Sequence, residues 1–400
     1  MAGKDLLGLE VEVMLIEENG NISNRASDVF KHSNISKLVP EFSTATIEAN
    51  PDPSNSIQEI EKNLRYELEN LEIIANSMGV KVIPISEVGK QRTQREGYSR
   101  RYELFEKIAG SSASNVDKSA VATHLHIDHK NDIVGQYNLL QSMDPVFVLM
   151  STTSYFRGFN TVNCGRLNSF RSLFPNNPEM NNLLDYIKSP NDLDEIQKKR
   201  SNFFISQLGD NEESRSIFGS YNNGSSPLRK TDKTIEIRCA DGNLPELALS
   251  FAAMYKGVLN SVFNNSIEIK ISEKDGFYDY NSSEIIMPNF NTLKKMEKEG
   301  IKKGLKSDIV YAYLNHLLEI ANDGLSNDEQ KYLIPFENIL LSRTNVADLI
   351  NHYAKSVDPS VNGRINLPTA DKVNLFINQI YQSDIKNQSQ LNDLIKYKDF

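Results

Sequence analysis

The sequence predicts an α+β fold: a sheet with one buried face and one open, charged face, followed by a long helical region. Two observations carry this. Four separate stretches alternate apolar and polar residues with period two, and all four share the same polarity. From about residue 290 onward the spacing is helical throughout, broken only near "NDGLSNDEQ" and "SVDPSVNGRINLP".

The elements follow in order. Residues 6–17 form a first strand, with Leu7, Leu9, Val11, Val13 and Leu15 on one side and Glu10 and Glu12 on the other. Residues 43–50 form a second, with Ala45, Ile47 and Ala49 opposed to Thr44, Thr46 and Glu48, and "NPDPS" stops it. Ile57, Ile60, Leu64, Leu68, Leu71 and Ile74 make one helical stripe over 55–78, capped by Ser54 or Asn55. "GVKVIPIS" reads as a short strand and 98–110 as a helix. In the strand at 119–128, Val121, Thr123, Leu125 and Ile127 oppose His124, His126 and Asp128, and helical segments follow to about Arg157. Weak periodicity over 158–232 predicts long loops with short helices. The last strand is "TIEIRC", with Ile235, Ile237 and Cys239 inward and Glu236 and Arg238 outward; a helix then runs from about Leu244 to Phe263. The expected division is 1–289 as the catalytic part and 290–400 as a helical C-terminal subdomain.

Composition narrows the class. With 400 residues, 39% hydrophobic and 24% charged, the chain suits a globular protein with a sizeable core. A formal net charge of -9 argues against nonspecific nucleic-acid binding. Two cysteines, Cys164 and Cys239, provide neither a disulfide framework nor a cysteine-rich zinc site. The N-terminus is too acidic for a signal peptide, and no stretch is apolar enough to span a membrane, so a cytoplasmic protein is expected.

If the four strands share a sheet, Glu10, Glu12, Glu48 and Glu236 meet on its open face with His124, His126 and Arg238. Clustered carboxylates repel, so they must take up protons or hold cations. Oxygen ligands without sulfur suit magnesium or manganese. Several hard cations beside a histidine and an arginine fit phosphoryl transfer from a nucleotide. A competing pattern is "HLHIDH" at 124–129, the H-x-H-x-D-H zinc signature of metallo-β-lactamase-like hydrolases. That fold needs another histidine downstream, and the remaining ones are His32, His316 and His352, none between 130 and 315. A third reading is a non-catalytic nucleotide-binding protein.

"GLEVEVMLI", "EFSTATIEANPDPS", "THLHID", "SYFRGFNTVNCGRLNSFRSLFP" and "TIEIRCADGNLP" occur in the order of the glutamate–cysteine ligase family. Over residues 6–265 the chain resembles its second branch, the carboxylate-amine ligases. The resemblance implies a glutamine synthetase-like antiparallel sheet whose concave face holds ATP and two or three Mg2+ ions, Mn2+ being an alternative. It implies Glu10, Glu12, Glu41, Glu48, His124 and Glu236 as metal ligands, Glu41 standing seven residues before Glu48. It implies His126 and Arg238 as phosphate contacts, Glu236 and Arg238 as catalytic, and Ser169 and Arg171 as substrate contacts; Arg229 is a further candidate for the nucleotide and Arg157 for the substrate. Of these loop arginines, only Arg171 has a clear counterpart in the motif; Arg157 and Arg166 are equally readable as surface residues. Asp241 is expected to fix the following turn or Arg238, and Cys239 to pack. The implied partners are glutamate or a similar carboxylate and an amino acid or amine, with a homodimer admitted as the assembly. Many members carry a Trp-Asp-x-Arg-Pro run shortly before T-x-E-x-R. Here that region reads "NNGSSPLRKTDKT", the chain has no Trp, and Arg229 and Lys230 are the charges available there.

Overall fold

The computed structural model describes residues 5–32, 37–90, 100–219 and 227–396. Seven strands build the main sheet: β1 (Leu7–Glu17), β2 (Leu38–Pro40), β3 (Thr46–Ala49), β4 (Val80–Ile83), β5 (Ala122–Asp128), β6 (Leu228–Lys230) and β7 (Thr234–Asp241). Their order is β2-β3-β1-β5-β7-β6, with β4 pairing the far end of β1. Every pairing is antiparallel. A small second sheet joins β8 (Glu268–Ile271), β9 (Asp279–Tyr280) and β10 (Glu284–Met287). Neither β2 nor this second sheet is anticipated by the sequence, because runs of two to four residues carry too little alternation to register.

The helices are α1 (Ala26–His32), α2 (Ile57–Ser77), α3 (Arg100–Ser119), α4 (Ile133–Ser142), α5 (Gly165–Arg171), α6 (Pro190–Leu208), α7 (Glu212–Phe218), α8 (Pro245–Phe263), α9 (Phe290–Lys303), α10 (Asp308–Gly324), α11 (Asn327–Gln330), α12 (Ile334–Ser342), α13 (Val346–Val357), α14 (Leu367–Ile385) and α15 (Leu391–Lys396). The stripe expected of α2 is the face it buries, Ile57, Ile60, Leu64, Leu68 and Leu71. Its cap is Ser56, whose side chain accepts from Glu59 N–H. Ser54 is instead committed to a backbone bridge with Leu7. The helix expected at 98–110 extends to Ser119 through a break at Gly110 (φ 84°), and its first two residues lie outside the described set. The region 158–232 contains the 19-residue α6, which its weak periodicity hides. Its N-terminus nevertheless carries a capping box, Ser189 with Asp192, and Pro190 in the first turn.

The apolar face of the main sheet packs on α8, the most deeply buried helix, and the core continues through α10, α12 and α14. Each fully buried Leu or Ile there contributes about 1.5–3 kcal/mol. The expected boundary near 290 falls between β10 and α9, and the core crosses it. α8 and α10 meet backbone to backbone: a Cβ on Gly257 would stand 2.2 Å from the Ala321 carbonyl oxygen, and one on Gly324 would stand 1.9 Å from that of Gly257. A separate aromatic cluster, Phe105, Phe174, Phe204 and Phe218, ties α3, α6 and α7 into a cap. Its Phe204 and Phe218 rings stack at 4.9 Å. No described helix is long and apolar enough to cross a membrane.

Candidate active site

Strand register assembles the charged face. Glu10 pairs with His124, Glu12 with Glu48, His126 with Glu236, and Arg229 with Glu236. The β5–β7 ladder shifts register between Thr123 and Leu125. Alternation alone puts His124 and His126 of β5 on the same open face as Glu236 and Arg238 of β7, His126 standing opposite Glu236. Glu41 arrives from the segment between β2 and β3 and takes a hydrogen bond from Phe42 N–H at 3.2 Å. The result is a cleft of about 360 Å³ holding Glu10, Glu12, Glu41, Glu48, His124, Glu236, Arg229 and Arg238.

Its electrostatics are unbalanced at one end. Glu236 is fully buried and lies between two guanidiniums, with Arg229 Nε at 2.5 Å and Arg238 Nη1 in direct contact. Burial raises its pKa, but Arg238, His124 and Arg229 outweigh it and hold the carboxyl below its usual range. Burial also opposes ionisation of Glu10, yet His124 and His126 hold it well below that range. Their ring nitrogens lie 3.2 and 3.0 Å from its two oxygens. Among the described residues, Glu12 and Glu48 have no cationic partner at hydrogen-bond distance. Glu12 accepts from Ala122 N–H at 2.8 Å and Glu48 from Asn50 Nδ2 at 2.8 Å. Burial and the Glu41 charge push Glu12 up to about 8. Burial and the charges of Glu10, Glu41 and Glu12 push Glu48 up to about 9. Burial, with the Arg238 charge, pushes His124 down.

A cation fits this donor set. Glu10, Glu48 and His124 can bring one ligand atom each within 4.8 Å of one another, and so can Glu12, Glu41 and Glu48. A set of carboxylates short of positive charge, with one imidazole and no sulfur, suits Mg2+ or Mn2+. Asp128 and His129 stay out of the cluster. Asp128 Oδ2 accepts from Leu6 N–H at 3.1 Å, and His129 lines a separate cleft of about 1350 Å³ near the small sheet. The zinc signature therefore does not close into one site. That larger cleft contains none of the site residues expected from sequence.

The expected substrate contacts need correcting. Arg171 is buried away from the cleft, its Nε 2.6 Å from Glu297 and its Nη2 3.8 Å from Asp144. The Ser169 hydroxyl is spent on the Gly165 carbonyl within its own helix. Arg157 does not line the carboxylate cleft; its backbone has φ 51° and bonds Glu87 O. The arginine of this loop that reaches the cleft is Arg166. It is no surface residue: Nε donates to Asp241 at 2.7 Å and Nη2 to the Ala240 carbonyl at 2.6 Å. Asp241 thus holds Arg166, together with Thr152 N–H and the Thr153 hydroxyl, rather than Arg238. Lys230 turns to Asp194 on α6. Part of the "NNGSSPLRKTDKT" segment lies outside the described residues.

Sequence reasoning missed the cap side of the cleft. Arg101, Tyr102, Phe105 and Asp117 come from α3, Phe42 stacks on Tyr102 at 4.1 Å, and burial pushes the Asp117 carboxyl up to about 7. No motif marks these residues. The available signal was Phe42 directly following Glu41.

The sequence profile of glutamate–cysteine ligase family 2 matches residues 6–353. A comparison with curated protein sequences finds no match. A bifunctional glutathione synthetase from Pasteurella multocida superposes with TM-score 0.52 at 10% identity, over 98% of this chain and 56% of that one. This chain therefore spans little more than half the length of that protein, and the likeness is one of fold. A glutamate–cysteine ligase from Francisella tularensis, solved in complex with AMP, gives TM-score 0.48 at 13% identity, over 99% of this chain and 93% of that one. The observed α+β architecture is the class expected from the resemblance. The chain belongs to glutamate–cysteine ligase family 2, a family of ATP-dependent enzymes that form carbon–nitrogen bonds.

Proposed function

We propose that this protein is an ATP-dependent carboxylate-amine ligase of the glutamate–cysteine ligase kind, acting through an acyl phosphate. The observation that carries the reading is the open face of the sheet, where five glutamates and His124 adjoin Arg229 and Arg238 in one cleft. Glu10, Glu12, Glu41, Glu48, His124 and Glu236 would hold Mg2+ or Mn2+. Bound there, the ions neutralise charge on the polyphosphate and lower the barrier to phosphoryl transfer.

The chain's own groups do the rest. Arg238 and Arg229 orient the transferred phosphoryl oxygens through forked N–H donors. A substrate carboxylate oxygen, most simply the γ-carboxylate of glutamate, attacks the γ-phosphorus; ADP leaves and an acyl phosphate forms. An amine nitrogen then attacks the activated carbonyl carbon, phosphate departs and the amine gives up a proton, leaving an amide. Arg166, clamped by Asp241, offers a fixed cation at the cleft wall for a substrate carboxylate. The aromatic cap of α3, α6 and α7 restricts water, which would otherwise hydrolyse the acyl phosphate. Cys164 and Cys239 are both buried, and no covalent enzyme intermediate is needed.

The test is ADP formation by purified protein with MgATP and glutamate, against a panel of amines including cysteine, with the product weighed by mass spectrometry. Amine-dependent ADP with the matching amide mass supports the reading and names the acceptor. ADP-free incubations across all carboxylates and amines would overturn it.

A further inference from the structure

Five of the six candidate cation ligands ride on strands of the main sheet: Glu10 and Glu12 on β1, Glu48 on β3, His124 on β5 and Glu236 on β7. Ladder register fixes where each of them stands. Glu41 is the exception. It follows β2 directly, and its carboxylate takes its one hydrogen bond among the described residues from Phe42 N–H, at 3.2 Å. The bonds that tie down this connection come later in the chain. Thr44 Oγ1 donates to Asn24 Oδ1 at 2.7 Å, Ala26 N–H to the Thr44 carbonyl at 2.8 Å, and Leu15 N–H to the Ala45 carbonyl at 2.7 Å.

Phe42 is held from the opposite wall of the cleft. Its buried ring stacks on Tyr102 of α3, with centroids 4.1 Å apart and planes inclined by 29°. The half of α3 that presents Tyr102 is pinned on both flanks. Arg100 Nε lies 2.7 Å from Glu213 of α7, and Phe105 packs against Phe174 and Phe204. Stacked rings prefer a defined geometry, so Tyr102 restrains the Phe42 ring and, through it, the backbone that carries the Phe42 N–H. A path thus runs from the cap to the Glu41 carboxylate.

The site needs such a restraint. Glu12 and Glu48 stand opposite each other in the β1–β3 register and are both buried, whatever the cap does. Glu41 is the third member of their set, with ligand atoms within 4.8 Å. Two neighbouring carboxylates repel a third, so an unrestrained Glu41 would swing toward water when no cation is bound. A hard cation gains from each further carboxylate that is already in place.

We propose that Tyr102 is a positioning residue for the cation site of Glu12, Glu41 and Glu48, acting through its stack on Phe42. The other set, Glu10, Glu48 and His124, consists of strand residues and does not depend on the cap. The inference rests on the cation reading of the cleft and is indifferent to which carboxylate and amine react. Linkage makes the coupling mutual: the cation steadies the cap by the factor by which the cap tightens the cation.

The experiment titrates the full chain with Mn2+ alone and follows free Mn2+ by electron paramagnetic resonance, so no turnover is needed. We expect Tyr102→Leu to weaken one class of site about tenfold and to spare the other. Tyr102→Phe keeps the ring and should bind as the wild type does. Glu41→Gln should weaken the same class, and adding Tyr102→Leu to it should cost nothing more, because the path already ends at a missing ligand. Melting temperatures are taken for every variant. In the wild type itself, amide exchange over residues 100–109 should slow up to about tenfold with Mn2+. The proposal is overturned if folded Tyr102→Leu binds like the wild type, if Tyr102→Phe binds as weakly as Tyr102→Leu, if the two losses add, or if Mn2+ leaves exchange over 100–109 unchanged. A wild type that binds no Mn2+ overturns the cation site and the proposal together. A wild type that shows the expected Mn2+ losses yet turns over no carboxylate–amine pair upholds the positioning role and rejects the ligase reading.

Discussion

Two groups of buried carboxylates sit on the two sides of the main sheet, and they differ in what satisfies them. Among the helices, Asp384 accepts from Glu246 N–H at 3.0 Å and pairs with Arg65 at 3.3 Å. Glu246 takes the Ser389 hydroxyl, and Glu61 takes Arg65 Nε at 3.0 Å and the Tyr332 hydroxyl at 2.5 Å. Burial pushes Glu246 up to about 7 and raises Asp384 as well. On the open face, Glu12 is pushed up to about 8 and Glu48 to about 9, and among the described residues each accepts from one neutral donor. A raised carboxyl pKa therefore marks both groups and distinguishes neither. The distinction lies in the partners: one group is closed by an arginine and hydroxyls, while the other faces a cleft and waits for charge from outside.

Substitutions should separate the two groups, and their effects on turnover should descend as follows. Glu236→Gln removes a carboxylate on which two arginines and the candidate metal site converge. ADP formation should fall about a thousandfold with the melting temperature held within a few degrees; activity near wild type would detach the cluster from catalysis. Arg238→Lys keeps the charge and loses the fork, so kcat should fall about a hundredfold while equilibrium dialysis still detects ATP. Unchanged kcat would exclude Arg238.

Proton linkage gives a subtler contrast. Glu12 and Glu48 keep their protons in the folded state between their ordinary value of 4.5 and about 8 and 9, where the unfolded chain has lost them. Without metal, their contribution to stability is thus present at low pH and is lost as pH rises through that window. A cation must displace those protons. Affinity for Mg2+ should rise about tenfold per pH unit for each proton expelled, up to about pH 9. Calorimetry in buffers of different ionisation enthalpy counts the protons, and zero release would mean the cation binds elsewhere. At the bottom of the scale, Arg65→Met unpairs Asp384 on the helical side. It should cost about 3 kcal/mol in denaturant unfolding and leave kcat alone. A matching loss of turnover would mean the helical group also serves catalysis.

How much of this was legible follows from the physics of each element. Period two is rigid in a strand, so the faces of β1, β3, β5 and β7 were readable, and with them Glu10, Glu12, Glu48, His124 and Glu236. The bulge in β5–β7 left no trace in the alternation. The loop arginines part for a geometric reason. Arg166 and Arg171 are five residues apart on α5, about 140° around the helix, so both cannot face one cleft. The one the motif favoured is anchored to Glu297 on α9, a contact 126 residues away that no local pattern encodes. The cap was illegible because α6 buries only Leu193, Arg200, Ser201 and Phe204 of its 19 residues, too sparse a stripe to stand out.

The contact of Gly257 with α10 has a consequence for truncation. Two helices separated by a long stretch of chain touch through backbone at Gly257 and Gly324, with the small Ser261 side chain beside the seam, its hydroxyl donating to the Ile320 carbonyl at 2.7 Å. A methyl group on either glycine would wedge the C-terminal helices off the helix that backs the catalytic sheet. A chain cut near residue 290 would leave that backing helix with an uncovered apolar flank. The residues beyond 290 are thus part of the same core as the sheet rather than a unit hung beside it.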